Sequence, residues 1–151
     1  MKRMILAKIA GVSAIVLALS GCGGTGSTMG SASSLYQQLG GTDSVTKLAN
    51  NLVSSSVKDP RLSGVMGNVN QSTASSKVAD QLCAALGGGC SAPYTDSQVQ
   101  AAADRLTPDQ KSAISDNFKS SLDSVTSNPA VRDAVTKSLG SKLSGILGAV
   151  R

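Results

Sequence analysis

The chain has 151 residues, a net charge of +5, no histidine and only three aromatic residues, two Tyr and one Phe. Without an imidazole, Ser-His-Asp and Cys-His catalysis are excluded, as are most zinc and haem sites. The scarcity of aromatic side chains and of clustered basic residues argues against a nucleic-acid surface. A carboxylate pair or a Ser-Lys dyad stays open in principle, but no spacing supports one. We therefore predict no catalytic residues, no metal site, no nucleic-acid partner and no enzyme.

Residues 1–21 have the layout of an export signal. A basic start over residues 1–8 precedes an apolar run over 9–19, which is too short to span a membrane as a helix. The run leads into the letters LSGC at 19–22, which resemble the lipobox of bacterial lipoproteins. In that family the chain is cut before the cysteine, and the cysteine carries lipid. The resemblance implies that Cys22 is the lipid attachment site, and two or more acyl chains would anchor it stably.

Attachment through Cys22 implies a place in the bacterial cell envelope, with the membrane as the first partner. Gly23 follows the cysteine, whereas an Asp there favours retention at the inner membrane in lipoproteins. The resemblance therefore implies the outer membrane, facing the periplasm. The alternative is an ordinary secreted protein in which Cys22 is incidental. Removal of the signal takes three basic residues away and leaves a charge of about +2, so the mature chain is nearly balanced.

Residues 22–33 read CGGTGSTMGSAS. After the lipid-carrying cysteine they are small, polar and aperiodic, which predicts a flexible tether. The remaining residues, 34–151, are enough for one domain with a modest core. Their apolar pattern is helical throughout.

Two helices are predicted in the first part of this domain. The first follows Ser34, and the paired glycines at 40–41 stop it. The second is capped by Thr42 or Asp43 and ends at residues 59–60, because a proline disfavours helix in the residue before it. The apolar stripe of the second helix consists of Val45, Leu48 and Leu52, with Val53 beside it.

The middle of the chain is rich in Gly, Asn and Ser over residues 62–76, which predicts irregular structure. A third helix is predicted from about Ser75 to Leu86, with apolar residues at a spacing of four. Three consecutive glycines at 87–89 end it.

The clearest helix start lies at Thr107, with Pro108 at the first helical position and Gln110 three residues after the cap. A last helix is predicted from residues 128–129, an Asn-Pro pair, to about Leu147. No segment alternates with a period of two. The sequence therefore predicts an all-α domain of about five or six helices.

Cys83 and Cys90 are the other two cysteines of the chain. Export would place them in an oxidising compartment, where cysteine pairs persist as disulfides. The glycines at 87–89 let the backbone double back between them. We predict a structural disulfide, and a redox switch or a thiolate ligand remain the alternatives.

The order of these pieces resembles the group I truncated haemoglobins over about residues 34–148. Residues 34–41 (SLYQQLGG) resemble the opening of that family, and residues 57–62 (VKDPRL) resemble the end of its second helix. Residues 81–95, with two cysteines, paired glycines and a Tyr-Thr pair, resemble a third segment, and some exported members carry cysteines at the same places. Residues 106–107 and Phe118 suit its next helix. The resemblance implies a globin-like helical fold and a haem cofactor.

The haem chemistry of that family is missing. The iron-binding histidine falls on Ala101 when counted from Thr107 and on Ala103 when counted from Tyr94, and neither can bind iron. The aromatic pairs that pack on haem, and the glutamine that steadies bound oxygen, fall on aliphatic residues. These positions are Leu52, Val53, Val65, Met66 and Val78, with a retained lysine at Lys77.

Two hypotheses follow. The first is a haem-free globin-like domain, without cofactor-binding residues, held at the membrane as an interaction or structural module for an unidentified periplasmic protein. The second is a haem- or oxygen-binding globin that uses another axial ligand, since Met, Tyr and Cys are known ligand types. Its candidate ligands are Met66, Lys77, Tyr94, Cys83 and Cys90.

Overall fold

The computed structural model describes residues 35–151, and every regular element among them is helical, with no strand. The prediction of an all-α domain is confirmed for this range, but the elements outnumber the expected five or six. Residues 35–39 form a helical turn, called here the N-terminal turn, and a 3-10 turn spans Pro60–Leu62. The α-helices are α1 Gly41–Lys58, α2 Ser63–Met66, α3 Gln71–Ala85, α4 Asp96–Asp104, α5 Pro108–Val125, α6 Pro129–Leu139 and α7 Leu143–Ala149.

The core forms around α1, which packs against both α3 and α5. Its predicted stripe of Val45, Leu48 and Leu52 is buried, because apolar residues three and four apart share one face of a helix. A second packing unit is made by α4 and α7, and α7 also contacts α5 and α3. One contiguous apolar cluster therefore runs from the N-terminal turn to the last helix.

The start of α1 differs from the prediction. The helix begins at Gly41, and its N-cap is Gly40, which has a φ of 112° and offers no side-chain cap. Thr42 and Asp43 lie inside the first turn, and Thr42 bonds the Tyr36 hydroxyl, with 2.6 Å between the two oxygens. The predicted end at Asp59 is confirmed.

The expectation that residues 62–76 are irregular is wrong. The segment contains α2 and the first residues of α3, which begins at Gln71 and not near Ser75. Asn70 caps α3, because its side-chain oxygen accepts a hydrogen bond from the Thr73 amide at 3.1 Å.

Both helices of the third quarter of the chain begin with a capping box, in which the cap hydroxyl and a glutamine three residues later bond each other's backbone amides. Thr107 and Gln110 form the predicted box at α5. Thr95 and Gln98 form a second box at α4, a helix that the sequence analysis did not assign.

The predicted last helix is two helices. α6 ends at Leu139, and a turn over residues 140–142 reorients the chain before α7. Gly140 and Ser141 have low helix propensity, which favours a break there. The break lets Gly145 and Gly148 meet α4 at close range. A Cβ at Gly148 would lie 3.0 Å from the Ala102 carbonyl oxygen, and a Cβ at Gly145 would collide with the Val99 carbonyl oxygen.

A polar cluster holds the end of α1 against α5. The Asp59 carboxylate accepts hydrogen bonds from the Arg61 amide, the Arg61 guanidinium and the Asn117 side chain, at 2.9 to 3.1 Å. Arg61 also reaches Asp116, with 3.3 Å between nitrogen and oxygen. The hydrogen bond from the Arg61 side chain contributes most to lowering the pKa of Asp59 from 3.8 to about 2. We call these four residues the Asp59 cluster.

This lowered pKa predicts an acid-dependent loss of stability. The folded state favours the Asp59 carboxylate, so its contribution is complete above pH 4 and is lost as the pH falls from about 4 to about 2. Urea unfolding midpoints measured from pH 5 to pH 2 should fall for the wild type and fall less for Asp59→Asn. Asp133→Asn is the control, since Asp133 is exposed and no ion pair of the described residues involves it. An Asp59→Asn curve parallel to the wild type would contradict the prediction.

Candidate functional site

The positions that the globin resemblance assigns to the distal wall of a haem pocket lie in the interior. They come from three helices: Leu52 and Val53 from α1, Val65 and Met66 from α2, and Val78 from α3. None is more than 6% exposed, and all five belong to the one apolar cluster. A haem-sized space beside these side chains would leave a large part of each side chain accessible. Protein atoms therefore fill the space around them.

The two candidate positions for the iron-binding residue lie on α4. The Ala101 side chain is exposed, whereas Ala103 is 7% exposed and faces the protein. α4 is fixed at its start by the capping box of Thr95 and at its side by the close approach of α7. A methyl group offers no lone pair to iron at either position. The described residues therefore do not fit a histidine-type haem site.

The alternative ligands are mostly occupied by contacts with the protein. Met66 is 1% exposed in the core. The Lys77 ammonium lies over the Tyr94 ring, 5.8 Å from its centroid, which is within range for a cation–π contact. The Tyr94 hydroxyl differs, because it is buried and has no hydrogen-bond partner. Of these three side chains, only Tyr94 keeps an unused polar atom in the interior.

Tyr94 lies between two open clefts. Its backbone amide donates to the Gln81 side-chain oxygen at 3.1 Å, which fixes the chain as it enters α4. One cleft, of about 370 Å³, has Gln98, Arg105 and Arg151 among its lining residues. The other, of about 320 Å³, includes Gln81 and the ion pair of Lys142 with Asp96, whose charged atoms are 2.8 Å apart. Both volumes are at the lower end of ligand-site sizes, and nothing in either cleft brings together the residues of a known catalytic arrangement.

Cys83 and Cys90 are brought together as the sequence predicted. Their Cα atoms are 5.7 Å apart and the sulfur atoms are at disulfide distance, which fits the usual range of bridged cysteines. Cys83 is buried at the end of α3 and Cys90 is exposed. Sulfurs joined in a disulfide are not thiolates, so they are not free to act as metal ligands. Among residues 35–151 no group of three or more His, Cys, Asp or Glu residues could hold a metal ion.

The predicted lipid site, Cys22, lies outside the described residues, as do the predicted signal, the tether and Ser34. Within residues 35–151, none of the helices has the length and apolar character that would let it cross a membrane. Two other arrangements were not predicted from the sequence, namely the Asp59 cluster and the packing of Tyr36 on Gly88. The letters DPR at residues 59–61 were the only signal for the first, and the second joins segments far apart in the chain.

Comparisons of the chain with family models, with curated proteins and with solved structures found no match. The site described above is therefore the basis for a functional proposal.

Proposed function

We propose that this chain is an envelope lipoprotein, anchored by lipid on Cys22 in the outer membrane and facing the periplasm. Its residues 34–151 form a truncated-globin-like domain that serves as a haem-free interaction or structural module. The partner is a periplasmic protein, and the domain carries no cofactor and no catalytic centre.

The observation that carries the haem-free part is the closed interior at the distal-wall positions. An apolar cavity of haem size would be costly to keep empty, because large-to-small losses grow by about 24 cal/mol per Å³ of residual cavity. Aliphatic residues at Leu52, Val53 and Val65 let the helices close over that space, and these three residues are nearly inaccessible. The loss of the ligand and the loss of the aromatic wall are thus one structural change.

The anchor part is supported by the sequence of residues 1–22, in which a basic start, an apolar run of the right length and the lipobox occur in order. The described domain begins 13 residues after Cys22, a spacing that suits a tethered domain. A module held in this way gains from a high local concentration at the membrane and needs no active site.

A haem- or oxygen-binding globin with a non-histidine ligand is the second candidate. The buried Tyr94 hydroxyl without a hydrogen-bond partner is the observation that favours it. Phenolate is a known axial ligand of haem iron. The candidate requires α3 and α4 to separate around Tyr94, since the adjoining clefts are small and open.

Haem titration separates the two candidates. We expect the purified chain to give only a weak, non-stoichiometric change in the visible spectrum, because the closed interior leaves no room for the macrocycle. Tyr94→Phe should titrate like the wild type, and Tyr36→Phe is the matched control, since these are the only two tyrosines of the chain. A sharp Soret band at one haem per chain that Tyr94→Phe abolishes and Tyr36→Phe preserves would establish the second candidate instead.

A further inference from the structure

We infer that the segment from Cys83 to Cys90, called here the disulfide loop, is a redox-sensitive strap that holds the N-terminal turn on the domain. Reduction of its disulfide releases residues 35–40. The consequence for the distance between membrane and domain rests on the lipid anchor proposed above, whereas the release itself does not.

Tyr36 is the side chain through which the N-terminal turn is held. It is 8% exposed, and its hydroxyl bonds the Thr42 hydroxyl. The two sides of its ring face bare backbone. A Cβ placed on Gly88 would lie 2.7 Å from Cδ2 and Cε2 of the ring, and one placed on Gly41 would lie 4.0 Å from Cε1. The ring therefore packs on Gly88 more closely than any side chain at that position would allow.

The disulfide loop determines where Gly88 lies. The Gly88 amide donates to the Cys83 carbonyl oxygen at 2.8 Å, and both flanking glycines have a positive φ, 81° at Gly87 and 79° at Gly89. A Cβ on Gly88 would also lie 2.6 Å from the Cys83 sulfur. One glycine thus touches both the disulfide and the Tyr36 ring. The bridge to Cys90 adds a covalent constraint on the backbone around this glycine.

The N-terminal turn depends on such support. A turn of five residues cannot persist as an isolated helix in water, because nucleation of a helix is unfavourable. Besides Tyr36, only Leu39 is fully buried in this turn, and Leu35 is half-buried. Loss of the Gly88 surface removes one side of the Tyr36 site, so the turn is the part of the domain that responds first when the loop opens.

The exposure of the two sulfurs determines which of them an external dithiol attacks first. A thiolate of the dithiol attacks the exposed Cys90 sulfur, the S–S bond breaks, and Cys83 leaves as a thiolate that takes up a proton. In the resulting mixed disulfide the first sulfur of the dithiol is bonded to Cys90. The second thiol of the dithiol then attacks that first sulfur, and Cys90 leaves as a thiolate that is protonated. In total two electrons and two protons pass from the dithiol to the cysteine pair. The dithiol becomes the disulfide.

Release would lengthen the link to the membrane. Residues 35–40 are six residues, which span at most about 20 Å when extended. On an anchored protein, reduction would let the domain reach correspondingly farther from the bilayer, without a change in the core helices α1, α3 and α5.

Hydrogen exchange of the full chain, oxidised and then reduced with dithiothreitol, tests the inference. We expect the hydrogen-bonded amides of Gly40, Gly87 and Gly88 to exchange roughly ten- to seventyfold faster after reduction, the upper figure being the closure entropy of an eight-residue loop. Amides in the middle of α1 and α5 should stay unexchanged over the times at which these three amides exchange, because they open only when the whole domain unfolds. Alkylation must show that two thiols become free. The lipid on Cys22 has no influence on this measurement, so its failure is distinguishable from failure of the anchor.

Two glycine variants make the test independent of reduction. Gly88→Ala should speed exchange at Gly40, because the added methyl group would displace the Tyr36 ring. Since that methyl group also approaches the Cys83 sulfur, alkylation must show that the disulfide of this variant is closed. Gly64→Ala is the matched control, since a Cβ at Gly64 meets nothing within 4 Å. Two results would overturn the inference: free thiols with unchanged exchange at Gly40, and exchange in the middle of α1 and α5 that keeps pace with exchange at Gly40.

Discussion

Gly145→Ala should lower the free energy of unfolding by about 3 kcal/mol or more. The loss comes from a steric clash that the new methyl group creates, because the substitution removes no contact. The added Cβ would collide with the Val99 carbonyl oxygen and would lie 2.6 Å from its carbonyl carbon and from Cγ1. Backbone atoms of a capped helix cannot move aside as a flexible side chain can, so α4 and α7 must separate. Urea unfolding followed by circular dichroism measures the change.

Alanine substitutions at two other glycines provide comparisons for this prediction. Gly148→Ala should cost less than Gly145→Ala, because its nearest contact, with the Ala102 carbonyl oxygen, is 3.0 Å. Gly64→Ala should cost nothing or stabilise by up to about 1 kcal/mol, because alanine favours helix over glycine. Equal losses at Gly145 and Gly64 would show that α4 and α7 do not pack as closely as described.

Cys22→Ser should abolish lipid labelling completely, whereas the wild type should take up the label and partition into detergent. In the lipoprotein pathway the cysteine thiol receives the first lipid, and cleavage follows lipid attachment. The variant should therefore remain as an uncleaved or soluble precursor. Metabolic labelling with a fatty acid, followed by detergent partition, measures both effects. A wild-type chain that takes up no label would refute the anchor.

The matched control for this experiment is Cys90→Ser, which removes a cysteine without touching residues 19–22. It should keep full labelling, although it breaks the disulfide loop. A loss of label in both variants would mean that the label reports folding or export and not attachment at Cys22.

Local signals in the sequence predicted much of the helical structure. Thr107, Pro108 and Gln110 marked the start of α5 because a capping box satisfies its own backbone amides without help from other elements. The same device at Thr95 and Gln98 could have revealed α4. It was missed because α4 buries little besides Val99 and alanines, so it lacks a strong apolar stripe.

The remaining differences have tertiary causes. The predicted last helix is broken at Gly140, where a turn places Gly145 and Gly148 against α4. The spacing of apolar residues continues through this turn, so it predicted one uninterrupted helix. α2 forms among Gly, Asn and Ser residues because burial of Val65 and Met66 outweighs weak local propensity.

The candidate site also contains one feature that local sequence signals predict and one that depends on tertiary contacts. The pairing of Cys83 with Cys90 could be predicted from seven residues of separation and a flexible glycine run, which are local properties. The contact of Gly88 with Tyr36 could not, because the two residues are 52 positions apart in the sequence and neither residue type indicates its partner.

The length of α1 separates the two ends of the domain electrically. Its 18 residues rise by about 27 Å from Gly41, beside the N-terminal turn, to Lys58, beside the Asp59 cluster. The Debye length in physiological salt is about 8 Å. The two ends are therefore more than three Debye lengths apart, and charges at one end are largely screened from the other. Anionic lipid headgroups near residue 35 would therefore leave the titration of Asp59 as it is in free solution. The acid sensitivity of the fold is a property of the domain itself, independent of any membrane surface near its N-terminal turn.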